Sequence, residues 1–254
     1  MFFDTHTHLD DEKFDTDREE VIASLKHEGA TLCVNIGANI KTSKMSIALA
    51  ERYDFIYAAA GVHPNDTGDM SDEDLAQLEE MAKHPRVVAI GEIGLDYHYD
   101  EPEPEIQKIW FERQLRLAQK LGLPYVVHDR DAHADVLEII KKVGYFNGVM
   151  HCFSGSVEMA KEVTKMGMYV SIAGQVTFKN APKVQAVAAS VPLDKLLIET
   201  DSPYLTPEPF RGKRNNSGYV KYTAAKIAEL RGITTEEIAA ITMENGKKFY
   251  NISR

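Results

Sequence analysis

The sequence predicts an α/β protein with a (β/α)8 TIM-barrel fold, and three observations support that prediction. Short apolar runs alternate with longer helical stretches, which indicates parallel strands joined by helical crossovers. Eight such units fit into 254 residues, the usual size of this barrel. An open, doubly wound sheet would carry a G-x-G-x-x-G turn after its first strand, but this chain reads HLDDEKFDTD there.

Hydrophobic periodicity and turn residues give the order of the elements. Strands are expected at residues 2–7, 31–36, 55–61, 87–90, 124–128, 148–151, 168–172 and 195–200. Helices are expected at residues 18–27, 43–52, 72–83, 105–121, 132–142, 156–165, 183–189, 220–230 and 235–247. Because no linker or low-complexity segment interrupts this pattern, one TIM-barrel domain is expected over residues 1–254.

Composition and charge restrict the class of protein. With 44% hydrophobic and 27% charged residues, the chain is typical of soluble globular proteins. It lacks both a signal-peptide pattern and the roughly 18-residue apolar run of a membrane helix, so no membrane partner is expected. Two cysteines are too few for a disulfide framework and favour a cytoplasmic location. The net charge of −10 argues against a protein that coats nucleic acid, but not against an enzyme that holds phosphates through metal ions.

Side chains of the metal-ligand type end five of the predicted strands. The six candidates are His6, His8, Glu92, His128, His151 and Asp201. In a TIM barrel the carboxyl ends of the strands form the rim that holds the active site, so these side chains should converge. His6 and His8 stand two residues apart and therefore face the same side of a strand. Singly, each has a structural explanation, since Asp201 before Ser-Pro could merely cap a turn.

Together, four imidazoles and two carboxylates predict a site for two divalent metal ions. Imidazole suits zinc, and a carboxylate can bridge two ions; zinc, manganese and magnesium all remain open. Paired metals activate a water for hydrolysis, so the residues predict a metal-dependent hydrolase. Asp201 is the candidate general base, with Glu92 as the second catalytic carboxylate. Asp4 and Glu199 are expected to orient imidazoles from behind.

A basic loop follows the last predicted strand. Arg211, Lys213 and Arg214 lie together in PEPFRGKRNNSGY, residues 207–219, and are candidate substrate-binding residues. Arginine binds phosphate through two hydrogen bonds, and aromatic side chains can stack on bases. Tyr204, Phe210 and Tyr219 flank these cations and are candidates for such stacking. The alternative is an ordinary solvated loop.

Seven motifs in a fixed order resemble the TatD-type metal-dependent hydrolases, over essentially the whole chain. The motifs are DTHTHLD, GVHP, IGEIGLDY, VVHDRDA, MHCFSG, LLIETDSPYLTP and FRGKRN. The resemblance implies a TIM barrel of the metallo-dependent hydrolase type that cleaves phosphodiester bonds of DNA, as an exonuclease. One departure affects the loop after the last strand, where the family commonly continues Arg-Asn-Glu-Pro and this chain has Asn216 and Ser217 in place of the last two residues.

The resemblance also implies a role for each ligand. One ion would be held by four side chains: His6, His8, Glu92 and Asp201. A second ion would be held by Glu92, His128 and His151, with Glu92 shared by both. His63 would contact the scissile phosphate or a further ion.

Two other functions remain open from the residues alone. A two-metal barrel can hydrolyse an ester or amide instead, and some relatives in the family are credited with removing D-amino acids from tRNA. A non-catalytic metal-binding module is the third reading. DNA is the expected partner, and nothing in the sequence indicates an obligate protein partner.

Overall fold

The computed structural model describes residues 1–99 and 101–252. Eight strands in these ranges confirm the predicted ones: β1 (Phe2–Thr7), β2 (Ala30–Ile36), β3 (Ile56–Ala60), β4 (Val87–Asp96), β5 (Tyr125–Arg130), β6 (Gly148–Met150), β7 (Tyr169–Ile172) and β8 (Leu196–Ile198). The strands form a sheet in the order β1 to β8. The bridge between Thr7 and Ser202 is parallel and connects the ends of the first and last strands. The predicted α/β class and (β/α)8 TIM-barrel fold are therefore confirmed.

A helix follows each strand, as expected, and two helices follow the last strand. The helices are α1 (Arg18–Glu28), α2 (Ile40–Arg52), α3 (Asp72–Met81), α4 (Pro104–Leu121), α5 (His133–Val143), α6 (Val157–Lys165), α7 (Pro182–Ser190), α8 (Val220–Arg231) and α9 (Thr235–Phe249). Side-chain caps define several helix starts: Asn39, Ser71 and Thr234 each accept from a backbone N–H in the first turn, which satisfies a donor that the helix leaves unpaired. Within the described residues, no helix is long and apolar enough to cross a bilayer.

The chain divides into two compact units. One consists of Met1–Asn35 with Cys152–Arg254, and the other is Ile36–His151. The single domain expected over residues 1–254 stays a prediction, and the last two residues of that range lie outside the described part of the chain.

In the first unit, α9 packs behind β1. The Phe3 and Tyr250 rings lie 6.0 Å apart, and the Tyr250 hydroxyl donates to the backbone oxygen of Thr5 over 2.8 Å. An added Cβ on Gly246 would lie 2.5 Å from the Phe3 ring, so only glycine allows this close approach. The contacts fix β1 just before the point where His6 and His8 project.

In the second unit, β4 is longer than the sequence predicted. The expected strand ended at residue 90, but pairing with β5 continues through Ile93 opposite Val127 to Asp96 opposite Arg130. Glu92 and Asp96 therefore lie within β4 and not after it. The apolar pattern ends early because glycines and acidic residues alternate in this segment, although the backbone stays extended.

β8 is shorter than predicted, because its end bonds to a side chain. The expected strand reached residue 200, but the backbone N–H of Thr200 donates to the Asp4 carboxylate over 2.8 Å and so leaves the pattern of strand pairing. The strand ends at Ile198, and the chain turns towards Asp201.

Gly94 is the position where β4 tolerates no side chain. Its φ is 149°, and an added Cβ would lie 2.0 Å from the backbone oxygen of His128. Gly94→Ala should lower the free energy of unfolding by about 3 kcal/mol, because a backbone clash cannot relax by a rotamer change. Urea titration followed by circular dichroism measures the loss.

Gly122→Ala is the matched control. Gly122 also has positive φ, 67°, but no atom lies within 4 Å of an added Cβ. The free energy of unfolding should therefore fall by only about 1 kcal/mol, the cost of placing alanine in a left-handed backbone conformation. Equal losses in the two variants would contradict the close approach of β4 and β5.

Candidate active site

Three predicted metal ligands of the first unit meet in one cluster, here called the His6 cluster: His6, His8 and Asp201. The Nε2 atoms of His6 and His8 lie 3.1 Å apart. The Oδ1 atom of Asp201 lies 3.6 Å from the first and 3.4 Å from the second. All three side chains are largely withdrawn from solvent, at 1%, 13% and 16% exposure, so the polar atoms face one another.

The spacing within the His6 cluster fits a single metal ion. Zinc binds imidazole nitrogen and carboxylate oxygen at about 2.0–2.2 Å, so ligand atoms around a tetrahedral zinc are separated by about 3.3–3.6 Å. The three observed separations, 3.1, 3.4 and 3.6 Å, are close to that range. Two nitrogens and one oxygen are also a donor set that zinc and other transition metals accept.

A buried carboxylate fixes the turn that presents Asp201. The Asp4 carboxylate accepts from the backbone N–H of Thr200 over 2.8 Å and from its hydroxyl over 2.6 Å. Asp201 follows with a φ of 55°, and its N–H donates to the backbone oxygen of His6 over 2.9 Å. Burial raises the pKa of Asp4 to about 7, although hydrogen bonds from Thr200 and Ser217 oppose the shift.

The predicted role of Asp4 and Glu199, orienting imidazoles from behind, stays a prediction. Asp4 holds Thr200 and also accepts from the backbone N–H of His6 over 3.4 Å. Glu199 accepts from the backbone N–H of Cys152 over 2.7 Å, and one of its carboxylate oxygens lies within 4.8 Å of a ring nitrogen of His6.

The second unit gathers its predicted ligands around Glu92; this set is called the Glu92 cluster and consists of His63, Glu92, His128 and His151. The Oε1 atom of Glu92 lies 2.7 Å from His128 Nδ1 and 2.8 Å from His151 Nε2. Those two nitrogens are 3.4 Å apart, and His63 Nε2 lies 3.7 Å from the same oxygen. Glu92 is nearly inaccessible, at 4% side-chain exposure. The donor types suit a transition metal, while the two shortest separations are those of hydrogen bonds between the carboxylate and the imidazoles.

Asp96 orients His128, a role that the sequence analysis did not assign. Its Oδ2 atom lies 3.1 Å from His128 Nε2. Both ring nitrogens of His128 thus face carboxylates, and although burial lowers the pKa of His128, the hydrogen bonds to Asp96 and Glu92 prevail and raise it. With an ion at Nδ1, the Asp96 carboxylate would keep the remaining proton on Nε2 and so fix the tautomer. Burial raises the pKa of Asp96, but the hydrogen bonds from His128 and from the backbone of His98 prevail and lower it to about 2. The sequence feature that could have indicated this role is the spacing of Glu92 and Asp96, because residues four apart in a strand lie on the same face.

His63 is neutral and presents a hydrogen-bond donor. Its Nδ1 atom accepts from the backbone N–H of Asn65 over 3.2 Å, so the proton of the neutral ring is on Nε2. Burial, together with the nearby His128, lowers the pKa of His63 to about 3.

The basic loop of the first unit carries three cationic side chains, of which one is paired with a carboxylate and two are not. Arg214 donates to both carboxylate oxygens of Asp17, over 2.8 and 2.6 Å, which ties the loop to the segment before α1. Arg211 stacks on Phe178, 4.2 Å from the ring centroid. Arg211 and Lys213 are both exposed, and in the described part of the chain neither forms an ion pair with a carboxylate.

The residues that depart from the family pattern support the same loop. Asn215 donates to the backbone oxygens of Thr200 and Tyr204, over 3.0 and 2.6 Å. Ser217 is buried and donates to the Thr7 hydroxyl over 3.1 Å. Asn216 accepts from the backbone N–H of Gly218. Asn215 matches the expected pattern, and the departing residues Asn216 and Ser217 add further hydrogen bonds, so the loop is held by side-chain amides and hydroxyls.

A TIM barrel that presents histidine–carboxylate clusters at its strand ends has the site of a metal-dependent hydrolase. The chain belongs to the TatD family: the family model described as TatD related DNase matches residues 3–251. The expected family and the metallo-dependent hydrolase type of barrel are thus confirmed, and the protein is an enzyme of this hydrolase class.

Named relatives and a solved structure agree over almost the full length. The uncharacterized metal-dependent hydrolase YabD of Bacillus subtilis strain 168 is 52% identical over 255 residues, covering 100% of both chains. The 3′-5′ ssDNA/RNA exonuclease TatD of Cronobacter sakazakii is 34% identical, over 98% of this chain and 97% of its own. The crystal structure of YJJV, a TatD homologue from Escherichia coli K12, has a TM-score of 0.94 and 32% identity, over 99% of this chain and 98% of that one.

Thr200→Val tests the link between Asp4 and the turn that presents Asp201. The substitution keeps the shape of a buried side chain but removes the hydroxyl that donates to Asp4 over 2.6 Å. The free energy of unfolding should fall by about 1–3 kcal/mol, since the carboxylate loses a donor in the interior. Thr164→Val is the control, because that hydroxyl bonds only to helix carbonyls of α6, and a change within about 0.5 kcal/mol is expected. Equal effects in urea titrations would contradict the positioning role of Thr200.

Proposed function

We propose that the protein is a divalent-metal-dependent phosphodiesterase that removes nucleotides from single-stranded DNA. The spacing of the donor atoms in the His6 cluster is the observation that most directly supports it, since it fits one metal ion. The names of the Cronobacter relatives, 3′-5′ ssDNA/RNA exonucleases, favour a nucleic acid over other esters. Reduced cysteines, Cys33 and Cys152, agree with a cytoplasmic location for this activity.

Each cluster is proposed to hold one divalent ion. His6, His8 and Asp201 hold the first, and Glu92, His128 and His151 hold the second. A bound ion would lower the pKa of a water molecule and neutralise charge on the phosphate oxygens. Zinc and manganese suit the mixed nitrogen and oxygen donors, and magnesium accepts the carboxylates.

Asp201 is proposed as the general base of the hydrolysis. Its side chain is 16% exposed, compared with 4% for Glu92, so water reaches Asp201 more readily. Its carboxylate accepts the proton of the attacking water as the new bond to phosphorus forms and the ester oxygen leaves. Glu92 contributes by holding His128 and His151 in one orientation.

Three side chains are proposed to bind the phosphates of the substrate. His63 donates from Nε2 to a phosphate oxygen as a neutral ring. Arg211 and Lys213 attract the flanking phosphates, because neither is neutralised by a carboxylate in the described part of the chain. Arg214, the fourth predicted substrate-binding residue, is paired with Asp17 and contributes by holding the loop that carries Arg211 and Lys213.

Asp201→Asn should keep most of the bound metal and lose most of the activity. The amide oxygen can still coordinate, but it cannot accept the proton, so kcat should fall by about 10²–10⁴-fold. The assay follows mononucleotide release from 3′-labelled single-stranded DNA with Mn²⁺, Mg²⁺ or Zn²⁺, and elemental analysis gives the metal content. Asp194→Asn, on the surface, is the matched control and should behave as the wild-type enzyme.

Three results would contradict the proposal. Near-wild-type turnover of Asp201→Asn would remove that residue from catalysis. Hydrolysis of aminoacyl-tRNA or p-nitrophenyl esters, with no release of nucleotides, would identify an ester or amide hydrolase instead. Bound metal without turnover of any substrate would indicate a non-catalytic metal-binding module.

A further inference from the structure

Tyr204 is an exposed aromatic ring close in the chain to a proposed metal ligand. Few large hydrophobic side chains are exposed among the described residues; they are Met1, Tyr99, Ile109 and Tyr204. Tyr204 is 45% exposed, and no other aromatic ring of the described residues stacks on it. It follows Asp201 by three residues in the turn after β8.

The other aromatic side chains of this loop are occupied by one another. Phe210 and Tyr219 stack at 4.7 Å with an interplanar angle of 14°. Tyr222 packs edge-on against both rings, at 5.4 and 5.9 Å. Of the three stacking candidates of this loop in the described part of the chain, Tyr204 is therefore the ring with a face that no other aromatic ring covers.

The backbone and the hydroxyl of Tyr204 are each hydrogen-bonded to a turn that carries a residue of the His6 cluster. Its backbone N–H donates to the backbone oxygen of Asp201 over 2.9 Å. Its hydroxyl donates to the Asp11 carboxylate over 2.8 Å, and the Asp11 N–H donates to the backbone oxygen of His8 over 3.1 Å. The ring is thus held in place next to both turns, so little rotational freedom is lost when a flat ligand stacks on it.

A cation lies over one face of the Tyr204 ring, which leaves the opposite face for a base to stack on. The ammonium group of Lys13 is 4.1 Å from the ring centroid of Tyr204, and Lys13 is exposed. The acidic residues that follow Lys13 are matched by arginines: Asp15 by Arg18 over 2.5 Å, and Asp17 by Arg214 over 2.6 Å. An aromatic platform with an adjacent cation suits a ligand that combines a flat base with a phosphate.

We propose that Tyr204 is a stacking platform for a nucleobase of the single-stranded substrate, with Lys13 on a neighbouring phosphate. This inference rests on the proposed nuclease function and adds a subsite to it. Stacking does not distinguish one base from another, so the subsite selects unpaired strands and not a sequence. The base in a duplex is already stacked and cannot cover the ring.

The test compares binding of two labelled oligonucleotides of equal length, one with ordinary bases and one with abasic residues at its last three 3′ positions. Fluorescence anisotropy with Ca²⁺ gives Kd for each. The wild-type protein should bind the ordinary strand about tenfold more tightly, the typical effect of one stacked base. Tyr204→Leu should abolish this difference. Tyr204→Phe keeps the ring and should preserve most of it.

Phe210→Leu is the matched control, because its ring is already covered by Tyr219, and the tenfold difference should persist. A Tyr204→Leu protein that retains the wild-type ratio, or a wild-type protein with equal Kd values, would overturn the inference. The proposed function fails separately: a base-dependent Kd that requires Tyr204, without nucleotide release by the wild-type protein in Mn²⁺, would support the platform and refute the nuclease.

Discussion

The structure depends on pairing buried carboxylates with hydrogen-bond donors at the carboxyl ends of the strands. Asp4, Glu92 and Asp96 are at most 3% exposed, and an uncompensated charge in such a position costs several kcal/mol. Asp4 is compensated by Thr200, and Asp96 by His128. Because these bonds join side chains far apart in sequence, they also define where the strands end and where the ligands point.

The need to pair every buried carboxylate gives the acidic residues two different roles: some position other groups, and others face the imidazole nitrogens of the two clusters. Asp4 bonds to the turn that carries Asp201, and Asp96 bonds to Nε2 of His128. Asp201 and Glu92 instead face the imidazole nitrogens that are proposed to hold the metal ions. Carboxylates behind a metal ligand fix its tautomer and orientation. The division explains how a small set of histidines can adopt one arrangement in an interior where alternative rotamers would leave polar atoms unpaired.

The sequence predicted the strands well because each interior strand is a continuous apolar run. It also located the histidines and carboxylates of the two clusters, because they follow those runs. It predicted β4 as too short, since Gly91 and Gly94 interrupt the apolar pattern without bending the strand out of the sheet. It also missed the role of Asp96 and the pairing of Arg214 with Asp17. Contacts between long side chains depend on tertiary positions, and spacing along the chain does not determine them.

The acidic composition is compatible with a nucleic-acid substrate because the available cations are local. Lys13, Arg211 and Lys213 are exposed, while the arginines next to the acidic segment before α1 are already paired. Such a distribution favours contact with a few phosphates of one strand over general attraction to nucleic acid. An enzyme of this kind would depend on its metal ions for most of the charge that binds the reacting phosphate.

The most direct test of two occupied metal clusters is anomalous X-ray diffraction from crystals grown with Mn²⁺ or Zn²⁺. Two peaks are expected, one among His6, His8 and Asp201 and the other among Glu92, His128 and His151. A map with no anomalous peak at either cluster, in crystals whose metal content is confirmed by fluorescence, would contradict the assignment of these side chains as metal ligands.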